Sequence, residues 1–177
     1  MNIFISGGCK NGKSYYAQKL AKEMSQSQEV PLYYLATMIP TDDEDKKRIK
    51  RHIAERAGWG FETIEQGENI CSALESGINC QGAFLLDSVT ALLSNEMFKS
   101  NGEFDSFAGD KVEKELVEFA KKTGNTVFVS DYIYSDARRF DEYTEKYRKG
   151  LAQVDRALAR VCDQVIEVSF GNIKKYK

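Results

Sequence analysis

Apolar and polar positions alternate in two different periods along this chain. NIFIS at 2–6, PLYYLAT at 31–37, FETIE at 61–65, AFLLDS at 83–88, TVFVSD at 126–131 and QVIEVS at 164–169 are short and rich in β-branched and aromatic residues, so they read as strands. Several are apolar nearly throughout, as strands covered by helices on both faces should be. Between them, residues 13–26, 43–57, 69–78, 89–99, 107–122 and 138–161 repeat their apolar positions at helical spacing. Strand and helix in alternation predict an α/β fold, a mostly parallel sheet with right-handed crossovers. No repeat, low-complexity stretch or linker interrupts residues 1–177, and that length suits one domain with a sizeable core. The polar stretch 99–106 is expected to be a surface loop.

Composition narrows the class of protein. Apolar residues make up 42% and charged residues 29%, the balance of a globular chain, and the formal net charge of −2 argues against a nucleic-acid surface. The basic run Lys46-Lys47-Arg48-Ile49-Lys50-Arg51 follows Asp42-Asp43-Glu44-Asp45, which suits a solvated helix of mixed charge. Cys9, Cys71, Cys80 and Cys162 form no CxxC pair and no zinc-type cluster. No apolar run has the length of a membrane span, and no leader pattern precedes the first strand, so a cytoplasmic protein with reduced thiols is expected. Cys9 is assigned no chemistry, and Cys71, Cys80 and Cys162 are expected to be small, buried or half-buried residues.

The chemistry begins at GGCKNGKS. Gly7, Gly8, Cys9, Lys10, Asn11, Gly12, Lys13 and Ser14 fit GxxxxGK[ST] between a predicted strand and a predicted helix. Glycines let successive backbone N–H groups turn toward phosphate oxygens, and the helix adds the positive end of its dipole. Lys13 reaches the terminal phosphates of a nucleotide, and the Ser14 hydroxyl suits Mg²⁺. The fold expected is therefore of the P-loop NTPase type, RecA-like, with GTP or ATP as co-substrate. AFLLDS ends in Asp87, a carboxylate at the sheet edge where such folds bind ligands. It has two readings, a partner for Mg²⁺ or, with Ser88, an N-cap for the next helix.

His52 is the single histidine, and Glu44, Arg48 and His52 recur at helical spacing along one face. A neutral imidazole can attack phosphorus, with Arg48, Arg51 and Arg56 nearby to offset the triphosphate charge. The alternative is a partly exposed helical histidine without chemistry. GGCKNGKS, LYYLAT, DDE-x3-RI-x2-H, a TIE strand and LLDSVTALLSN occur in the order of one family. The chain resembles the adenosylcobinamide kinase / adenosylcobinamide-phosphate guanylyltransferases of cobalamin assembly almost end to end, with the likeness fading between about 99 and 125.

That resemblance implies roles for particular residues. The loop from Gly7 to Ser14 would hold the triphosphate, with Mg²⁺ near Ser14 and Asp87. His52 would attack the α-phosphorus of GTP, with Arg48 or Arg51 offsetting charge there, and carry GMP to adenosylcobinamide phosphate. A kinase step on adenosylcobinamide with ATP or GTP, and a homotrimer with the histidine helix near a subunit boundary, are further family properties. A P-loop small-molecule kinase without a covalent intermediate and a nucleotide-gated binding protein are the rival readings.

All but one of the departures from the family fall after the fifth strand. Asp131 stands near the family's glutamate, and Tyr132-Ile133-Tyr134 replace a glycine-bearing turn. Lys149 replaces an aspartate, and Val154-Asp155 replace Asn-Gln. Trp59 or Phe61 takes the place of a tryptophan. Tyr132, Tyr134, Phe140, Tyr143 and Tyr147 read either as an aromatic wall for a flat macrocycle or as packing. Arg138, Arg139 and Arg148 read either as acceptor-phosphate ligands or as solvated charges.

Overall fold

The computed structural model describes residues 1–75 and 77–177, with the side chains of all of these except Arg48 and Glu55. Among the described residues, the strands are β1 (Ile3–Gly7), β2 (Leu32–Ala36), β3 (Glu62–Glu65), β4 (Ala83–Asp87), β5 (Thr126–Asp131), β6 (Gln164–Ser169) and β7 (Asn172–Lys175). They join one sheet in the order β3-β2-β4-β5-β1-β6-β7. Every pairing is parallel except β6 with β7. The helices are α1 (Lys13–Gln28), α2 (Asp43–Glu55), α3 (Val89–Met97), α4 (Ala108–Thr123) and α5 (Glu142–Val161). This is the α/β architecture the periodicity predicts.

Side chains alternate across the sheet and so divide the core in two. Ile3, Ile5, Leu85, Val127 and Val129 face Ala17, Ala21 and Met24 of α1. Phe4, Leu35, Phe84, Leu86 and Phe128 face Leu92 and Leu93 of α3, Leu116 and Phe119 of α4, and Leu151 and Leu158 of α5. Each fully buried side chain of this size contributes about 1.5–3 kcal/mol. α2 differs from the other helices, since none of its described side chains is buried. It forms because the Asp42 side chain caps it by accepting from the Asp45 N–H and because Asp43, Glu44 and Asp45 complement its N-terminal dipole.

Several expectations need correction. Among the described residues of 69–78, a 3-10 segment at Ile70–Glu75 stands in place of the expected α-helix. The Asn69 N–H is drawn to Glu96 Oε1 at 2.7 Å and the Ile70 N–H to Glu115 Oε2 at 3.0 Å, so tertiary partners fix the backbone there. Burial alone would raise the Glu96 carboxyl, yet the Asn69 N–H and the ammonium groups of Lys111 and Lys99 hold it below its ordinary value. The helix expected from 138 starts at Glu142, where Asp141 accepts from the Tyr143 and Thr144 N–H groups and sets the boundary. Ser88 belongs to the cap of α3 and lies outside β4. The 99–106 loop is closed at its base by a bridge between Phe98 and Phe104. β7, absent from the sequence reading, pairs antiparallel with β6 at the sheet edge.

Candidate functional site

The strand register collects the predicted chemistry at one edge of the sheet. Gly7, the last residue of β1, lies opposite Asp131 of β5 and Val168 of β6, while Asp87 of β4 lies opposite Val129 of β5. All are C-terminal strand ends, the ligand-binding edge of open α/β sheets. Gly7 must be glycine, because a Cβ there would sit 2.2 Å from the Val168 carbonyl oxygen. Gly12 opens α1 in the left-handed region at φ 85°, and no side chain caps that helix. Its first-turn N–H groups are thus left for an anion, the arrangement a phosphate requires. Gly8, Asn11 and Ser14 are half-buried around this turn, and Cys9 and Lys10 are exposed on it.

Lys13 is 5% exposed, and its ammonium donates to Gly8 O and to Asp131 Oδ1, each at 2.6 Å. A buried cation needs such partners, so Asp131 neutralises, and competes for, the charge that phosphates would use. Asp131 is itself fixed, since its N–H donates to Thr90 Oγ1.

Asp87 accepts from the Tyr34 hydroxyl at 3.0 Å through Oδ2. Ser88, with its hydroxyl accepting from the Ala91 N–H, is the N-cap of α3, so the capping role falls to Ser88 and leaves Asp87 to the edge. Carboxylate and hydroxyl oxygens are hard donors, and the Asp87 and Ser14 pair fits Mg²⁺ by that chemistry.

Arg56 links the histidine helix to this edge. Its guanidinium lies 3.9 Å from the centroid of the Tyr34 ring, the same tyrosine that holds Asp87, and donates to Thr63 Oγ1 at 3.3 Å. The Arg56 N–H bonds to His52 O, so Arg56 continues the helical turn and lies on the His52 face. His52 is half-buried, Arg51 is exposed, and the Arg48 side chain lies outside the described residues. Sequence reasoning named Arg56 only as a neighbour, since a contact with a tyrosine on another strand leaves no local signal.

Residues after β5 serve the fold more than any ligand. Arg148 is buried and donates to the carbonyls of Tyr134, Asp136 and Arg138 and to Glu145, so it clasps the segment after β5 and is engaged internally. Arg138 and Arg139 are exposed. Tyr147 donates to Thr90 O, Tyr132 to Glu167 and Tyr134 to Asp155 Oδ2. Tyr132 and Tyr134 also line a cleft of about 510 Å³ with Tyr176 and Glu167. Burial pushes the Asp155 carboxyl up to about 6, tempered by the Ser130 and Tyr134 hydroxyls and reinforced by Asp131. Among the described residues, neither the Ser130 hydroxyl nor Asp155 Oδ1 completes a hydrogen bond. Burial likewise lifts the thiols of Cys71 and Cys162 to about 11 and about 12, which removes them as nucleophiles near neutral pH.

A phosphate-cradling turn at the end of a central parallel strand, with one carboxylate on the neighbouring strand β5 and another on β4 beyond it, defines a P-loop nucleotide-binding protein of RecA-like topology. Solved structures agree on the fold. The flagellar accessory protein FlaH from Methanocaldococcus jannaschii superposes with a TM-score of 0.54 at 16% identity over 99% of this chain and 77% of its own. The ATPase domain of G40P gives 0.52 at 13% identity over 94% and 68%. The sequence matches the family described as cobinamide kinase / cobinamide phosphate guanyltransferase over residues 3–175, and the chain belongs to that family of enzymes. It is 31% identical to the bifunctional adenosylcobalamin biosynthesis protein CobU of Salmonella typhimurium over 97% of each chain. It is 27% identical to the protein of the same description, CobP, of Pseudomonas aeruginosa over 93% of this chain and 91% of that one. With CobU of Escherichia coli the alignment is 31% identical and spans about half the length of that relative, 55%, against 59% of this chain. Among the described residues, no helix is long and apolar enough to cross a membrane.

Proposed function

We propose that this protein transfers GMP from GTP to adenosylcobinamide phosphate through a guanylylated His52, and that it also phosphorylates adenosylcobinamide with ATP or GTP. The observation that carries the reading is the anchorage of the histidine helix: Arg56, one turn beyond His52, is stacked on the tyrosine that holds Asp87. A helix tied to the phosphate edge in this way supports a role for its histidine toward a nucleotide held there.

In the first step a ring nitrogen of His52 attacks the α-phosphorus. The new N–P bond forms as the bond to the pyrophosphate oxygen breaks, pyrophosphate leaves, and the imidazole proton passes to solvent. In the second, a phosphate oxygen of the acceptor displaces the histidine, and GMP departs in a new P–O–P linkage. Splitting the transfer keeps two bulky anions from having to meet in one transition state. Lys13 and the first-turn N–H groups of α1 hold the triphosphate, and Arg48 or Arg51 offsets charge at the α-phosphate. Mg²⁺, when bound at Ser14 and Asp87, supplies charge neutralisation on the phosphates.

The homotrimer of the family would put a subunit boundary at α2, none of whose described side chains is buried. A cytoplasmic setting follows from the nucleotide substrates. Labelling with GTP radioactive at the α-phosphate tests the mechanism. A denaturation-resistant, acid-labile, alkali-stable adduct that His52→Ala abolishes is the expected result, and bound GTP without any adduct would refute the covalent step.

A further inference from the structure

We propose that the exposed ring of Tyr15, braced edge-on by Trp59, is the surface on which the purine base of the bound nucleotide stacks. The inference rests on the nucleotide-binding reading above and adds a subsite to it.

Tyr15 follows Ser14 directly in the first turn of α1, so its backbone belongs to the phosphate-binding turn. Its side chain is 65% exposed, and packing therefore leaves most of its apolar area in water. Trp59 meets it with ring centroids 5.6 Å apart at 84°, a T-shaped contact that restricts the tyrosine ring while most of Tyr15 stays in water. The Lys22 ammonium lies 5.3 Å from the centroid of the Trp59 ring. The tryptophan is thus held by a cation and by the tyrosine ring.

The location fits the substrate. The Trp59 N–H donates to Arg56 O, so Trp59 lies in the turn that leaves the histidine helix and is tied to Asp87 through Arg56 and Tyr34. Phosphates held by the first turn of α1, with the α-phosphate toward His52, leave ribose and base on the flank of α1 that faces this turn. Tyr15 is the aromatic face there. A purine stacks on such a ring through its own π-face and accepts adenine or guanine alike, which suits an enzyme family acting with both nucleotides.

The chain has one tryptophan, so Trp59 reports on the platform directly. The full chain would be titrated with GTP and, separately, with inorganic tripolyphosphate in magnesium buffer. Calorimetry would give affinity and Trp59 fluorescence the local change, for the unaltered protein, Tyr15→Ala and Tyr15→Phe. Both ligands should bind, and only GTP should change Trp59 emission. Tyr15→Ala should weaken GTP about tenfold and leave tripolyphosphate unchanged, with Tyr15→Phe restoring GTP affinity. Equal effects of Tyr15→Ala on the two ligands, or none on either, would overturn the base subsite while leaving nucleotide binding intact. Failure of both ligands to bind the unaltered protein would instead remove the nucleotide reading, and the subsite with it. Circular dichroism on each variant separates loss of binding from loss of fold.

Discussion

Asp155 offers the sharpest quantitative test of the packing behind the sheet edge. It lies on α5, 3% exposed, accepts from the Tyr134 hydroxyl, and among the described residues its other carboxylate oxygen has no hydrogen-bond partner. Burial first, and the Asp131 charge second, raise its pKa from 3.8 to about 6 in the folded protein. Because the folded state holds this proton more tightly than the unfolded chain, the contribution of Asp155 is fully present below about pH 4 and is lost as the pH rises through about 6. At about 1.4 kcal/mol for each pH unit between those two values, the loss is about 3 kcal/mol. Asp155→Asn keeps the acceptor for Tyr134, adds a donor next to the Ser130 hydroxyl and carries no charge. The variant should therefore be more stable than the unaltered protein at pH 7.5 by on the order of 2–3 kcal/mol and equal to it near pH 4. Urea unfolding at a series of pH values measures this, with the difference between the two proteins isolating Asp155 from the other carboxylates. If the two stability curves run parallel from pH 4 to 7.5, Asp155 is ionised in the fold without penalty and the argument fails.

Other outcomes follow from the same structure. Asp131→Asn frees the Lys13 ammonium from a competitor at 2.6 Å. As the pair is partly exposed and worth about 1 kcal/mol, GTP should bind roughly fivefold tighter, and weaker binding by calorimetry would mean that Asp131 assists the nucleotide. Arg56→Ala removes the stacking on Tyr34 and leaves α2 without its anchor. Thermal unfolding should show a loss of about 2 kcal/mol, and guanylylation of His52 should slow at least tenfold while GTP affinity changes little. Unchanged labelling kinetics would sink the proposed anchorage. Gly7→Ala should fail to bind tripolyphosphate, since its Cβ would meet the Val168 carbonyl, and normal binding would show that the loop tolerates rearrangement.

Fold and site differed in how far the sequence revealed them. Apolar runs and helical spacing located six of the strands, because each pattern repeats within a few residues and reflects which faces are buried. GGCKNGKS was legible for the same reason, since a contiguous turn with fixed backbone demands states its own geometry. β7 was not legible: its residues are exposed, three of the four polar, and at the sheet edge, and only pairing with β6 makes it a strand. The segment 69–78 showed helical spacing, but carboxylates on α3 and α4 claim its N–H groups. Arg148 resembled a phosphate ligand until the structure placed the carbonyls of residues 134, 136 and 138 around it.

By itself, then, the sequence determined the alternation of elements, the phosphate turn with Lys13 and Ser14, and the candidate standing of Asp87 and His52. Each depends on residues close along the chain. Tertiary structure alone decided that Asp131 neutralises Lys13 across 118 positions, that Tyr34 holds Asp87 across 53, and that Arg56 ties the histidine helix to Tyr34. Those contacts join side chains on different strands and helices, and their partners are chosen by sheet order and register, which no local pattern encodes.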